Sequence, residues 1–432
     1  DATEHRPGLM LAVAFESLVK LIALIAVGFF ALIWANKNQL DVYGAVQTLV
    51  EQASPVGFLG QTLLAFAAII CLPRQFHVAI VECGDVVDVR RARWLFGFYL
   101  VIVSLMVLPI AAVGVHLFGD KAGVPADSFV LALPLSQNQM TLALAAYIGG
   151  FSAATGMVIV TSVALSTMVS NDLIMPLLLR RGWAQQPQGD MSATVLWIRR
   201  FAILVVAAAA YGYYFGSGSD TALSAYGLMA FAAVAQFAPG LIGGLYWQGA
   251  SRQGVEVGLV LGFAVWMYTL MLPALTESGW FASDWLQHGL FGMLWLKPYQ
   301  LFGLTGWDPL THGTFWSLLF NTSAFLLVSL YKRPGLGDRL RAEPFLDPYA
   351  QRRRLAASAW NGEIFVQDLL ALAGRLVGEK KAQWDFDKEA QRRGQALHQD
   401  LRADSEWIQF TELMLAAAIG AASARLVLTS AL

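Results

Sequence analysis

Charge is what this 432-residue sequence has least of: only 14% of residues are Asp, Glu, Lys or Arg, against about a quarter in an ordinary soluble domain. Cysteine is scarcer still. Cys71 and Cys83 are the only two, too few for a disulfide framework or a cysteine-built zinc site, and they read as free thiols. Neither sign of charge is in excess, the formal net charge being −1. That excludes the basic stripe that grips nucleic acid and indicates no acidic or basic partner. The sequence has no Walker loop, no G-x-G-x-x-G and no G-x-S-x-G, so no residue is assigned a catalytic role. No secretory signal peptide is recognisable. The sequence begins at Asp1 and enters an apolar run almost at once, which reads as part of something longer.

What it has instead is long apolar runs, with 57% of residues hydrophobic. The scarce charges are also unevenly spread. Residues 332–432 hold 15 of the 29 Lys and Arg and 13 of the 30 Asp and Glu. The split marks two solvents, lipid first and water second. Residues 1–332 are therefore expected to form a transmembrane domain, 333–361 a linker, and 362–432 a cytoplasmic helical domain. The fold class expected is all-α, a polytopic membrane protein with a helical bundle attached.

Eight runs are long enough to cross a bilayer: 8–35, 58–83, 92–118, 138–179, 192–215, 221–247, 255–275 and 312–331. The fourth is too long for one simple crossing, and Gly149, Gly150 and Gly156 predict a lead-in segment or kink in its first half. Residues 280–303, rich in Trp and broken by Pro298, fit an interfacial or re-entrant piece. Arg90, Arg91, Arg93, Arg180, Arg181, Arg199, Arg200, Arg252, Lys332 and Arg333 follow even-numbered spans, whereas the opposite loops carry Lys37, Lys121 and Lys297. The positive-inside rule then puts the tail, and the N-terminal end with Arg6, on the cytoplasmic side. In the tail, Phe365, Leu369, Leu372 and Leu376 recur at helical spacing. The Ala-rich stretch 411–430 is read as a buried helix of a small bundle in preference to a ninth crossing.

Three polar clusters stand out within the apolar runs. Pro73 sits mid-span, followed by Arg74, Gln75 and His77. A proline there frees backbone carbonyls that lipid cannot satisfy, so they must face protein or a water-filled cavity. Transporters use such broken helices to hold ions and solutes, with the positive N-terminus of the half-helix toward anionic groups. The alternative is a proline kink with Arg and His packed structurally. Glu16 and Lys20 lie one turn apart on one face of the first span. Lys20 is about 18 Å along the helix axis, too deep for an interface anchor. Intramembrane ionisable residues suggest function, but a self-neutralising pair is the competing reading. In the fourth span, Thr161, Ser162, Ser166, Thr167, Ser170, Asn171 and Asp172 offer oxygens of the kind a small hard cation takes. On the residues alone, hydroxyls that glue helices together explain them better.

The segments AFESLVKLIAL, LPRQFHVAIVE, IGGFSAATGMVIV, ALSTMVSNDLIMPLLLR and FAAVAQFAPGLIGGLYW, in that order, resemble the sodium/solute symporter family. The form is that of the transporter module of CbrA-type sensor histidine kinases. ELMLAAAIGAASARLVLTS resembles the STAC domain that joins such modules to two-component signalling parts. The resemblance implies a LeuT-type inverted-repeat fold of about thirteen helices, of which the last eight are present here. The first, second and fourth spans would be core helices five, six (discontinuous) and eight. It implies that Ser166 and Thr167 are sodium ligands, with Ser170 beside them. It implies an amino-acid substrate, with histidine suggested. Arg74 or the half-helix N-terminus at Pro73 would hold the carboxylate, and Gln75, His77 and Gln236 would hold polar groups. Glu16 matches an acidic residue near the cation path, whereas Lys20 departs from the pattern and points to proton-coupled or ion-independent movement. The partners implied are a kinase domain, which would make the full-length protein a histidine kinase, and its response regulator, besides membrane lipids. A stand-alone symporter with a regulatory tail, and a receptor that binds without transporting, are the other readings.

Overall fold

The computed structural model describes residues 7–51, 54–83, 86–119, 123–180, 191–216, 223–332, 335, 365–395, 397–398, 401–419, 424 and 427–428. The expected linker therefore lies outside the described residues except for Gly335, as do Arg6, Arg181 and Arg333. Among the described residues 86% are helical and none forms a strand, so the fold they show is all-α. Among the described residues seven helices are long and apolar enough to cross a membrane, and a bent pair makes an eighth span if counted as one.

In chain order the helices are α1 (Pro7–Lys37), α2 (Val42–Glu51), α3 (Pro55–Cys71), α4 (Pro73–Phe76), α5 (Val86–Phe118), α6 (Phe129–Ser136), α7 (Met140–Met168) and α8 (Met175–Arg180). There follow α9 (Met191–Gly216), α10 (Leu223–Ala235), α11 (Ala238–Tyr246), α12 (Arg252–Trp266), α13 (Leu272–Glu277), α14 (Asp284–His288) and α15 (Pro309–Tyr331). The tail holds α16 (Val366–Val377), α17 (Glu379–Arg393) and α18 (Ser405–Ile419). Wider π turns at His77–Val81, Val169–Ile174 and Met267–Met271 continue α4, α7 and α12.

The spans are inside-out by the standards of a soluble helix. Phe15, Leu18, Ile22, Phe29 and Ile33 of α1 face outward, as a lipid-facing surface requires, while small residues make the helix contacts. Gly254, Gly258 and Gly262 are buried at four-residue spacing on α12. A Cβ at Gly258 would lie 2.8 Å from Asn321 Oδ1, so this stripe is what lets α12 and α15 lie close. Gly149 does the same for α1 and α7, its notional Cβ falling 2.6 Å from Ala23 Cβ.

Those glycines correct one expectation. α7 runs unbroken through Gly149, Gly150 and Gly156, and the departure from α geometry comes later, at Val169–Ile174. Glycine lacks a side chain but keeps its N–H, so inside a packed bundle it serves close approach without interrupting the hydrogen-bond ladder. Residues 280–303 hold only α14 and short 3₁₀ turns and form no crossing.

The tail helices enclose a core in which Leu369, Phe386, Trp407 and Leu415 are buried together with Met175 and Val195 of the membrane helices. Phe386 and Trp407 stack at 5.5 Å between ring centroids. Leu415, Ile419, Ala424, Val427 and Leu428 are buried in this same core. Phe365 precedes α16 and is exposed, and Val366 takes the buried position beside Leu369 and Leu376.

Candidate functional site

Leu72 is the residue before a proline and adopts extended backbone, φ −65° and ψ 124°. Steric conflict with the proline ring disfavours helix there. The span accordingly breaks between Cys71 and Pro73, and its halves meet at 52°. The half-helix that starts at Pro73 then widens, so that the Glu82 N–H donates to the carbonyl of His77 at 3.0 Å. This turn brings His77 Nε2 to 3.4 Å from Glu82 Oε1, with both side chains almost fully enclosed.

An open-sided cavity of about 540 Å³ lies against the break. Pro73 and His77 line it from the broken span, Thr167, Asn171 and Asp172 from the fourth, and Phe237 from the α10–α11 junction. Its walls are mainly apolar with a few convergent polar groups, the usual make-up of a small-molecule site. The Oγ1 of Thr167 and the Oγ of Ser170 are buried without a hydrogen-bond partner among the described residues. Buried polar atoms are nearly always satisfied in a folded protein, so these two hydroxyls ask for a water, an ion or a solute. Ser166 is also buried, but its hydroxyl donates to the Val163 carbonyl at 3.0 Å.

The other residues singled out in the sequence lie elsewhere. Arg74 and Gln75 are half-buried and outside the cavity lining. Gln236 is fully buried in a polar network: its Nε2 donates to Ser317 Oγ at 2.9 Å, and Asn321 Nδ2 donates to its Oε1 at 3.0 Å. Glu16 and Lys20 form an ion pair at 3.8 Å. The Glu16 carboxylate occupies the hollow left by Gly156 of α7, and Lys20 opens instead onto a second cavity of about 640 Å³ with Tyr99, Asp127 and Tyr147. The structure thus joins Pro73, His77 and Thr167 and keeps Gln236 and the Glu16–Lys20 pair in separate places. Glu82 escaped the sequence reading, because residues five apart do not share a face of an α-helix.

The fold and the cavity define an all-α, polytopic membrane protein with a solute-sized opening beside a broken span. Comparison with protein-family models, curated proteins and solved structures finds no match to this chain.

Proposed function

We propose that this chain is the solute-binding, transporter-like module of a sensor, built on a LeuT-type fold in a bacterial inner membrane. The observation that carries the reading is the break at Pro73 set against a cavity whose wall holds a buried, unpartnered threonine hydroxyl. An interrupted helix is tolerable at membrane depth only where it lines a cavity or is covered by protein, and interrupted helices are where transporters hold their cargo. The solute proposed is an amino acid, histidine by resemblance. By the same resemblance, Arg74 or the half-helix N-terminus at Pro73 would meet its carboxylate, and Gln75 and His77 would meet its polar groups. Thr167, Ser166 and Ser170 supply oxygens suited to sodium, and Lys20 argues for a proton in its stead.

The docking of the tail favours sensing over uptake alone. Met175 and Val195 belong to membrane helices and yet are buried in the tail core. Arg199 Nη2 also donates to the Ala418 carbonyl at 3.4 Å, which sets the tail against the arginine-bearing end of α9, the end that the positive-inside rule would assign to the cytoplasm. A STAC-like tail so placed would pass cavity occupancy to a kinase domain and a response regulator.

Calorimetric titration of the purified protein with L-histidine, beside Thr167→Ala and Arg74→Ala, tests the site. Saturable binding weakened at least tenfold by either substitution is expected. Absence of saturable binding sinks the reading. Counterflow in proteoliposomes separates a transporter from a receptor, and uptake with sodium withdrawn decides the coupling ion: complete loss excludes the proton.

A further inference from the structure

We propose that a third cavity, between α3, the α10–α11 junction and α15, holds one chain of a membrane glycerolipid, with a lipid ester carbonyl at the hydroxyls of Thr311 and Thr314. The cavity measures about 710 Å³, within the range of about 300–1,000 Å³ usual for ligand sites. No charged side chain lines it, so an ion placed there would lose its hydration and meet no counter-charge. It is separate from the cavity beside Pro73, with which it shares Ile70 alone among the lining residues. The proposal does not rest on the solute reading.

The two hydroxyls argue first. Thr311 and Thr314 are 6% and 2% exposed, and the Oγ1 of each is buried without a hydrogen-bond partner among the described residues. A threonine in a helix ordinarily satisfies itself on a carbonyl three or four residues back. Thr62, Thr269, Thr276 and Thr411 all do so, each at 2.8 Å. Thr311 and Thr314 stand three residues apart on α15 and so share one face of it, and that face lines the cavity. Buried polar groups are nearly always satisfied, so this pair asks for an acceptor from whatever fills the space. An ester carbonyl supplies one and carries no charge.

The layout of the cavity argues second. Trp307 and Thr311 border it at the N-terminal end of α15, and Val56 at the N-terminal end of α3. These ends lie together: a Cβ on Gly60 would fall 2.9 Å from Thr311 Oγ1, and one on Gly57 would fall 3.1 Å from Asp308 Oδ1. Tryptophan favours the membrane–water interface. From there the α3 wall runs to Ile70 and the α15 wall to Leu326. At 1.5 Å per residue those walls are about 21 and 22 Å long, against about 30 Å for a whole hydrocarbon core. The slot is polar near the interface and mainly apolar beyond, which is the order of a lipid's own parts, ester first and chain inward.

Native mass spectrometry of the full chain, released from detergent, tests the proposal. One tightly held adduct per chain is expected in the wild type, identified after extraction as a diacyl glycerolipid. Delipidated protein is then titrated with dioleoyl phosphatidylethanolamine. Thr311→Val combined with Thr314→Val keeps the shape, removes both hydroxyls and should weaken binding about tenfold, as two lost hydrogen bonds would. Leu319→Trp fills the apolar part from a position 42% exposed and should abolish retention. Thr167→Ala, in the other cavity, should hold the lipid as the wild type does. The proposal is overturned if the wild type retains no lipid, or if its adduct is detergent or a compound without an acyl ester. Wild-type binding in the valine pair or in Leu319→Trp overturns it too, and loss in Thr167→Ala would move the lipid to the cavity beside Pro73. Should the valine pair fail to fold, Leu319→Trp still decides.

Discussion

Met175 is fully enclosed in the tail core, and Asn171, one helical turn before it, lines the cavity. One short stretch of helix, part of it π-wound, thus has a foot in each place. Met175→Ala removes a side chain that packs with the tail core, a loss of about 2–5 kcal/mol in comparable cores. Hydrogen exchange should quicken in α16 and α18 of the variant, while solute affinity stays within about threefold of wild type. Solute-dependent protection of the tail, if the proposed signalling is right, disappears in Met175→Ala. Unchanged exchange in the tail would show that this contact holds nothing together.

The Glu16 carboxylate fills the hollow above Gly156, so even one methyl group there collides with it. Because what the methyl meets is the movable end of the Glu16 side chain, Gly156→Ala should lower the thermal midpoint by an amount equivalent to about 1 kcal/mol, the low end of overpacking costs. Pairing it with Glu16→Ala removes the obstacle. The double variant should be more stable than the sum of the single effects predicts, and a thermal-shift mutant cycle reads that coupling. Additive effects would mean that the helices simply move apart.

Long apolar runs, Pro73 and the arginine-rich ends made the membrane helices and the broken span legible from the residues, because hydrophobic length and proline chemistry act locally. The cavity was legible only in part. His77 and Thr167 announced themselves as polar groups in apolar runs, but their meeting depends on how two spans cross. Gly149 and Gly156 looked like a kink and are a contact surface, since glycine's two uses differ only in what lies opposite. Gln236 had the right chemistry for a solute and found Asn321 and Ser317 instead. Glu82 was hidden because the period of 3.6 used to read helices does not hold through a π turn.

Gln236 offers a contrast between stability and binding. Gln236→Leu strips Asn321 Nδ2 of its contact to the amide oxygen at 3.0 Å and Ser317 Oγ of its donor at 2.9 Å. Asn321 Nδ2 keeps the Gln236 backbone carbonyl at 2.7 Å and Ser317 Oγ keeps the Thr314 carbonyl at 3.1 Å, so the loss should fall at the low end for buried hydrogen bonds, about 1 kcal/mol. The variant should unfold at lower temperature yet bind solute with wild-type affinity, since Gln236 does not line the cavity. Thr167→Ala should do the reverse, weakening binding with little change in the thermal midpoint. A loss of affinity in Gln236→Leu at full thermal stability would return this residue to the site.

Acid should loosen the tail through Glu389. Burial alone would raise its carboxyl, but hydrogen bonds and charge from Arg392 and Arg393 outweigh that and hold it below its ordinary value of 4.5. Arg392 Nη2 and Arg393 Nε both reach Glu389 Oε1 at 2.7 Å. The Arg393 guanidinium also lies 4.6 Å over the Trp407 ring, which ties α17 to α18. The sign follows from linkage. A carboxyl whose folded value is depressed stabilises the fold at pH above its unfolded value, near 4.5, and loses that contribution as pH falls through the folded one. Hydrogen exchange in α17, corrected for its intrinsic pH dependence, should therefore quicken as pH drops below about 4.5. In Glu389→Gln the acid-induced part of that change should be absent, and protection should already be reduced at neutral pH. Arg392 is solvent-facing, so water screens its share, and Arg393→Met should move exchange further than Arg392→Met. Equal effects from the two would assign the acid sensitivity to net charge on the tail instead of to the Arg393–Trp407 contact.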